Sequence, residues 1–231
     1  MLNRPQTVVI LAMSIDGKIA DYQGNAARFA SKTDKKHLET QIAGVDAVIF
    51  GAGTLRAYGT SLPISDSELI ALREKQNRPP QPVHIVCSAR ANFDFNLRFF
   101  QQSIPRWLLT TDQGHQALQG SDRSHFEQII IADSSDLGAE QMSWPQALAT
   151  FSRLDIDKLA VLGGEQMVTS LLELNLIDEL FLTICPIILG GKLSPSPVGG
   201  MGFLEKSAIR LSLLTAEVVD EEIFLHYRVK S

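Results

Sequence analysis

Four short stretches of this 231-residue chain carry residue types whose spacing suits chemistry on an anion or on a small ring. Gly163-Gly164 stands between an apolar run, residues 159–162, and a stretch with Met167, Leu171 and Leu174 at helical spacing. Two glycines there let the backbone turn sharply and leave the first N–H groups of the helix uncovered, which suits a phosphate; many such turns bind nothing. Ser88-Ala89-Arg90 follows another apolar run. A hydroxyl and a guanidinium two residues apart can hold a phosphate monoester through charge-assisted hydrogen bonds, although the pair also reads as a solvated turn. Gly51-Ala52-Gly53-Thr54 is a second glycine turn after a strand, but Arg56 stands where a dinucleotide fingerprint needs glycine, so an ordinary Rossmann site fits poorly. Asp16-Gly17 is a strong turn signal, and its simplest meaning is a loop whose Asp bonds its own backbone.

These residues need a frame. Continuous apolar runs at residues 7–13, 45–50 and 159–162 and at Val83–Cys87 read as buried strands, and Arg106–Thr110 and residues 128–132 as two shorter ones. A further strand over residues 180–189 contains Pro186, which implies an edge, a bulge or a strand end. Ser31-Lys32-Thr33-Asp34 approximates a capping box and opens a helix with Leu38 and Ile42 on one face, stopped by Gly44. Ser65-Asp66-Ser67-Glu68 is a fuller capping box, for a helix to about Gln76 with Leu69 and Leu72 in its buried stripe. Trp144-Pro145 opens a helix that runs to Leu154, and Asn175 ends the one after Gly164 in a left-handed turn. Residues 192–202, rich in Ser, Pro and Gly, form a loop able to cover a cleft. Alternation at Ile209, Leu211 and Leu213 and again at Ile223, Leu225, Tyr227 and Val229 predicts a closing antiparallel hairpin. Without a repeat or a linker, residues 1–231 read as one α/β domain.

Composition excludes several classes. Hydrophobic residues make up 45% and charged ones 20%, as in an ordinary globular protein. The net charge of −5 argues against a nucleic-acid partner, whose footprint is basic. No apolar run reaches the ~18 to 20 residues that cross a bilayer, and Met-Leu-Asn-Arg-Pro-Gln at the N-terminus has no signal-peptide core, so no membrane partner and a cytoplasmic location are expected. Cys87 and Cys185 lie inside apolar runs and read as buried free thiols. The five histidines lack metal-ligand spacing, so no metal is expected.

Taken in order, Ser-Ile-Asp-Gly-Lys-Ile-Ala after the first strand, Gly-Ala-Gly-Thr after the second, Ser-x-Arg after the third, Gly-Gly-Glu, then Leu-Ile-Asp-Glu-Leu and Pro-Ile-Ile-Leu-Gly-Gly make a pattern. The pattern resembles the pyrimidine reductases of riboflavin biosynthesis, the reductase half of the bifunctional deaminase-reductase and its free-standing relatives. The zinc deaminase half is not on offer, since Pro-Cys-x-x-Cys does not occur. The resemblance implies a three-layer α/β/α, dihydrofolate-reductase-like mixed sheet, an NADPH cofactor, a small-molecule substrate and a homodimer. Carried over, its cofactor contacts fall on Ala12, Arg28, Thr54, Tyr58, Ser88 and the turn Gly163, Gly164, Glu165, Gln166 and Met167, with Arg90 beside Ser88 suited to a 2′-phosphate. Asp16 matches the loop at the nicotinamide end and is the candidate catalytic residue, with water as the other proton donor.

The implied reaction reduces the ribosylamino group of a diaminopyrimidinone or aminouracil 5′-phosphate to a ribitylamino group. On the substrate side the chain departs from the pattern. Where the family reads Asp-Asp/Asn-Pro-x-Leu-x-x-Arg, this sequence has Tyr58-Gly59-Thr60-Ser61-Leu62-Pro63-Ile64-Ser65, with Ser65 at the arginine position. Ile42 stands for a second substrate arginine and Leu162 for the acid before the glycine pair. The alternatives are a reductase of the same fold acting on another small heterocycle or carbonyl compound, and a non-catalytic NADP-binding protein.

Overall fold

The computed structural model describes residues 3–26, 29, 31–133 and 142–230. Among them the elements run β1 (Gln6–Ser14), α1 (Lys32–Ala43), β2 (Ala47–Gly51), α2 (Ala52–Tyr58), α3 (Ser67–Lys75), β3 (Val83–Cys87), β4 (Arg106–Thr110), α4 (Asp112–Ala117), β5 (Gln128–Ile131), α5 (Trp144–Arg153), β6 (Lys158–Val161), α6 (Glu165–Glu173), β7 (Glu179–Cys185), β8 (Leu211–Val219) and β9 (Glu222–Val229). Strand order is β5-β4-β3-β2-β6-β1-β7-β9-β8. The chain groups into two compact units, Met1–Pro5 with Ile42–Leu159, and Gln6–Gln41 with Ala160–Ser231.

In the first unit β2, β3, β4 and β5 are parallel, with Ile49 opposite Ile85, Ile85 opposite Trp107 and Leu108 opposite Ile129. Ile49, Ile85 and Leu108 are fully buried, which is why these strands read as unbroken apolar runs. Helix α3 departs from its sequence reading. Its N-cap is Asp66, whose carboxylate accepts from the N–H groups of Glu68 and Leu69, not Ser65. Its buried residue is Arg73, whereas Leu72 is 48% exposed. The Arg73 guanidinium donates to the carbonyls of Ala43 and Val45 at 2.9 and 2.7 Å and to that of Pro79 at 2.8 Å. Three carbonyls that would otherwise lack donors are satisfied by one buried cation, and that gain outweighs burying Leu72.

In the second unit β1 and β7 are parallel, and β7, β9 and β8 continue antiparallel, the C-terminal hairpin included. Strand β7 ends at Cys185, four residues earlier than the apolar run, because Pro186 has no N–H for the ladder. The cap of α1 forms as its sequence indicates: Ser31 Oγ accepts from the N–H groups of Thr33 and Asp34 at 3.0 and 3.1 Å. Glu222, at the start of β9, reaches back to accept from Ser31 N–H at 3.0 Å and Oγ–H at 2.5 Å. Helix α6 buries Met167, Val168, Leu171 and Leu172, and Asn175 after it has φ 54°, the left-handed turn expected there. No helix among the described residues is long and apolar enough to cross a membrane.

Candidate functional site

In the first unit the sequence signals at the ends of β2 and β3 become two built turns. β2 runs straight into α2, which carries Thr54 half-buried and Tyr58 36% exposed. Gly59 closes α2 at φ 69°, where its N–H reaches the carbonyl of Leu55. Past β3, Ser88 Oγ accepts from Ala91 N–H at 3.1 Å, so the hydroxyl shapes the turn that presents Arg90. That turn is pinned from β4 and α4. Thr110 and Thr111 donate their hydroxyls to the carbonyls of Ser88 and Ala89, both at 2.7 Å. Gly114 packs on the same segment, where a Cβ would overlap the Ala89 carbonyl oxygen and Thr110 Oγ1. Arg90, Asn92, Phe93, Leu118 and Asp122 line a cleft beside the turn. Arg90 and the aromatic ring of Phe93 thus line the same cleft.

In the second unit the site residues gather at the C-terminal ends of β1 and β7. Ala12 is half-buried on β1, in register with Thr183. The Asp16 carboxylate accepts from Ser14 Oγ–H at 2.6 Å and from the N–H groups of Leu189 and Gly190 at 3.1 and 2.7 Å. These donors, Ser14 first, hold its pKa down to about 2. Asp16 is thus a fixed carboxylate that ties the loop after β1 to the loop after β7. Lys18 strengthens the tie, with Nζ donating to the Ser194 carbonyl at 3.1 Å.

Gly163 has φ 104° and is followed by a cis peptide to Gly164, and α6 starts there with no side-chain cap. The first turn of this nine-residue helix offers backbone N–H groups to an anion, so the residues present fit a cofactor pyrophosphate. The side chains of that turn point to separate tasks. Met167 is buried in the core, Gln166 is exposed, and Glu165 accepts from Ser196 N–H at 3.2 Å and Ser196 Oγ–H at 3.4 Å. Gly199 lies against the Glu165 carboxylate and donates its N–H to Thr169 Oγ1 at 2.8 Å. The loop over residues 192–202 is therefore strapped to the first turn of α6. Arg28 lies outside the described residues.

Sequence reading missed Gly114, Ser196 and Gly199, whose roles come from partners far along the chain. It also read Asp34 as part of a cap only. The Asp34 side chain is 7% exposed, and burial raises its pKa although Thr183 donates a hydrogen bond to it. Both cysteines are free, with their thiols pushed up to about 12 by burial.

The model of the RibD C-terminal domain matches residues 5–225. The chain belongs to that family. A protein of Archaeoglobus fulgidus named 2,5-diamino-6-ribosylamino-4(3H)-pyrimidinone 5′-phosphate reductase is 28% identical over 89% of this chain and 91% of its own length. Among solved structures, a pyrimidine reductase-like protein of Corynebacterium diphtheriae superposes with a TM-score of 0.82 at 23% identity, covering 99% of this chain and 93% of the other. A dihydrofolate reductase of Enterococcus faecalis, complexed with NADP(H), gives a TM-score of 0.53 at 14% identity over 98% and 99% of the two chains. The RibD C-terminal fold of this chain is accordingly dihydrofolate-reductase-like, a mixed α/β sheet with its antiparallel hairpin at the C-terminus.

Proposed function

We infer that the protein is an NADPH-dependent reductase of the riboflavin-pathway type, acting on a ribosylaminopyrimidine 5′-phosphate. Membership of the RibD C-terminal family carries the reading. The uncapped start of α6 after Gly163-Gly164 supports the cofactor assignment, as does the turn that presents Ser88 and Arg90. In this reading backbone N–H groups of the α6 first turn hold the pyrophosphate, and Arg90 holds the 2′-phosphate by charge-assisted hydrogen bonds. The nicotinamide supplies the hydride when bound. The chain's own task is to position the opened sugar and to shape the loops around it: Asp16 fixes residues 189–190, and Glu165 with Thr169 fixes residues 196–199. Asp16, ionised by its three donors, acts as the positioning carboxylate at the nicotinamide end, and the proton comes from water. Loss of NADPH absorbance on adding the diaminopyrimidinone or aminouracil 5′-phosphate tests the function. Saturating protein with no turnover of either sinks it.

A second reading has a specific observation in its favour. Ile42, at the position of a substrate arginine in the resemblance, is fully buried in the apolar core. No cation can face a ligand from there, and each charge-assisted hydrogen bond removed costs about 1.5 to 3 kcal/mol of phosphate binding. A reductase of the same fold acting on a heterocycle or carbonyl compound without a phosphate meets this condition. NADPH oxidation by the dephosphorylated pyrimidine, but not by its 5′-phosphate, would favour it over the first.

A further inference from the structure

In the second unit, the strap over residues 194–199 is gripped at both ends by polar contacts. At one end Ile19 N–H donates to the Pro195 carbonyl at 2.9 Å, and Lys18 Nζ reaches the carbonyl of the buried Ser194. At the other, Gly199 N–H meets Thr169 Oγ1, whose own hydroxyl donates to the Glu165 carbonyl at 2.9 Å. The Glu165 carboxylate lies between these grips. It takes the N–H and Oγ–H of Ser196, and Gly199 packs so closely on it that an added Cβ would overlap its carboxyl group. The large apolar side chains that flank the strap, Leu193 and Met201, are exposed and add no burial to its closure. A segment shut by a few hydrogen bonds belongs to the low-stability end of a fold, where local opening is readily populated.

Glu165 is also the first residue of α6. Met167 and Val168 turn their N–H groups to the Gly164 carbonyl at 3.1 and 3.2 Å, and those of Glu165 and Gln166 have no acceptor among the described residues. A carboxylate on the first turn of a helix is drawn to such N–H groups. Helical side chains lean toward the N-terminus, so an unlatched Glu165 can reach them. We propose that Glu165 is a positioning residue, its carboxylate held off the anion-binding turn while the strap is closed and occupying that turn when the strap opens. A pyrophosphate and this carboxylate cannot share the same N–H groups. Nucleotide binding therefore favours the closed strap, and the closed strap favours nucleotide, by the same factor. The inference rests on the reading that a cofactor pyrophosphate binds at the start of α6, and adds to it a coupling between ligand and strap.

Gly199→Ala tests the coupling. Gly199 is outside the left-handed region, so alanine fits its backbone, and the added methyl meets the movable end of the Glu165 side chain, which must leave the latch. NADPH binding to this variant, measured by titration calorimetry, should weaken about tenfold, the scale of one carboxylate facing an anion at close range. Adding Glu165→Gln removes the competing charge and should restore most of the affinity, although the strap stays open. Amide exchange at Ser196 reads the strap without any turnover. It should be fast in Gly199→Ala with or without Glu165→Gln, and in the wild type it should slow on saturation with NADPH. Wild-type affinity in Gly199→Ala overturns the proposal, and so does a double variant no tighter than the single one, because the loss then comes from the strap and not from the charge. A wild-type protein that binds NADPH without slowing at Ser196 overturns it too, while leaving the cofactor reading intact. Wild type that binds no NADPH removes the cofactor reading and this proposal together.

Discussion

Asp16 and Gly190 lie 174 positions apart in sequence, yet the carboxylate of one accepts the amide N–H of the other at 2.7 Å. A second N–H, from Leu189, shares the same carboxylate. A turn residue that reads locally as bonding its own backbone instead joins the loop after β1 to the loop after β7. Its pKa falls from 3.8 to about 2, so the tie is intact above pH 4 and is released only as the pH falls toward 2. Asp16 therefore contributes no limb to an activity profile between about pH 5 and 9. Asp16→Asn turns one acceptor into an NH2 donor facing amide hydrogens. Amide exchange at Gly190 should accelerate markedly in that variant, and an unchanged rate would show that the tie does not order the loop.

Gly114 is set against the turn of Ser88 so closely that an added methyl overlaps a backbone carbonyl. Backbone cannot yield as a flexible side chain does. Gly114→Ala should cost about 1 to 3 kcal/mol of stability, the usual range for overpacking, measured by urea denaturation. It should also weaken NADPH binding by displacing Ser88 and Arg90. A variant of wild-type stability would mean that α4 moves away at no cost.

How far the sequence discloses this arrangement depends on the range of the interaction. The Ser31 cap, the Gly163-Gly164 turn, the left-handed Asn175 and the positions of the buried strands are set by neighbours within a few residues, and each is where its pattern puts it. Arg73 breaks the pattern of α3 because its partners, Ala43 and Val45, are about thirty positions away, so a three-to-four spacing assigns Leu72 the buried place. Ser196 looks like any loop serine until Glu165, 31 residues earlier, accepts its N–H. Local rules carry the frame and the positions of the turns. The ties that give the loops their shape are nonlocal and leave no periodic trace.

His84 illustrates a cost hidden inside an apolar run. On β3 it is fully buried, and neither ring nitrogen has a hydrogen-bond partner among the described residues. Burial first, then the cations Arg106 and Arg73, lowers its pKa from 6.5 to about 3. Below pH 6.5 the unfolded chain therefore takes up a proton that the folded chain refuses, and stability declines as pH falls from there toward 3. The slope for one group is about 1.4 kcal/mol per pH unit, so about 2 kcal/mol is lost between pH 7 and pH 5. His84→Leu removes two unpaired polar atoms. It should stabilise the protein by about 1 to 3 kcal/mol at pH 7 and flatten the acid side of the stability curve. Parallel denaturation curves of wild type and variant at both pH values would contradict the linkage.

Arg90 gives the sharpest test of the cofactor assignment. It follows Ser88 on a turn held from three sides, by Thr110, Thr111 and Gly114, so its backbone is fixed before any ligand arrives. A guanidinium presented this way can make charge-assisted hydrogen bonds to a 2′-phosphate dianion that NADH does not carry. Asp122 lines the same cleft and would oppose an anion lying near it, so the phosphate is expected on the Ser88 side of Arg90. Discrimination of about tenfold or more in favour of NADPH is expected, equivalent to ~1.4 kcal/mol. Arg90→Ala should weaken NADPH binding by that factor while leaving NADH nearly unchanged, as titration calorimetry with both nucleotides would measure. Equal losses would assign Arg90 to the adenine or to the fold, and no loss for either would move the 2′-phosphate to another turn.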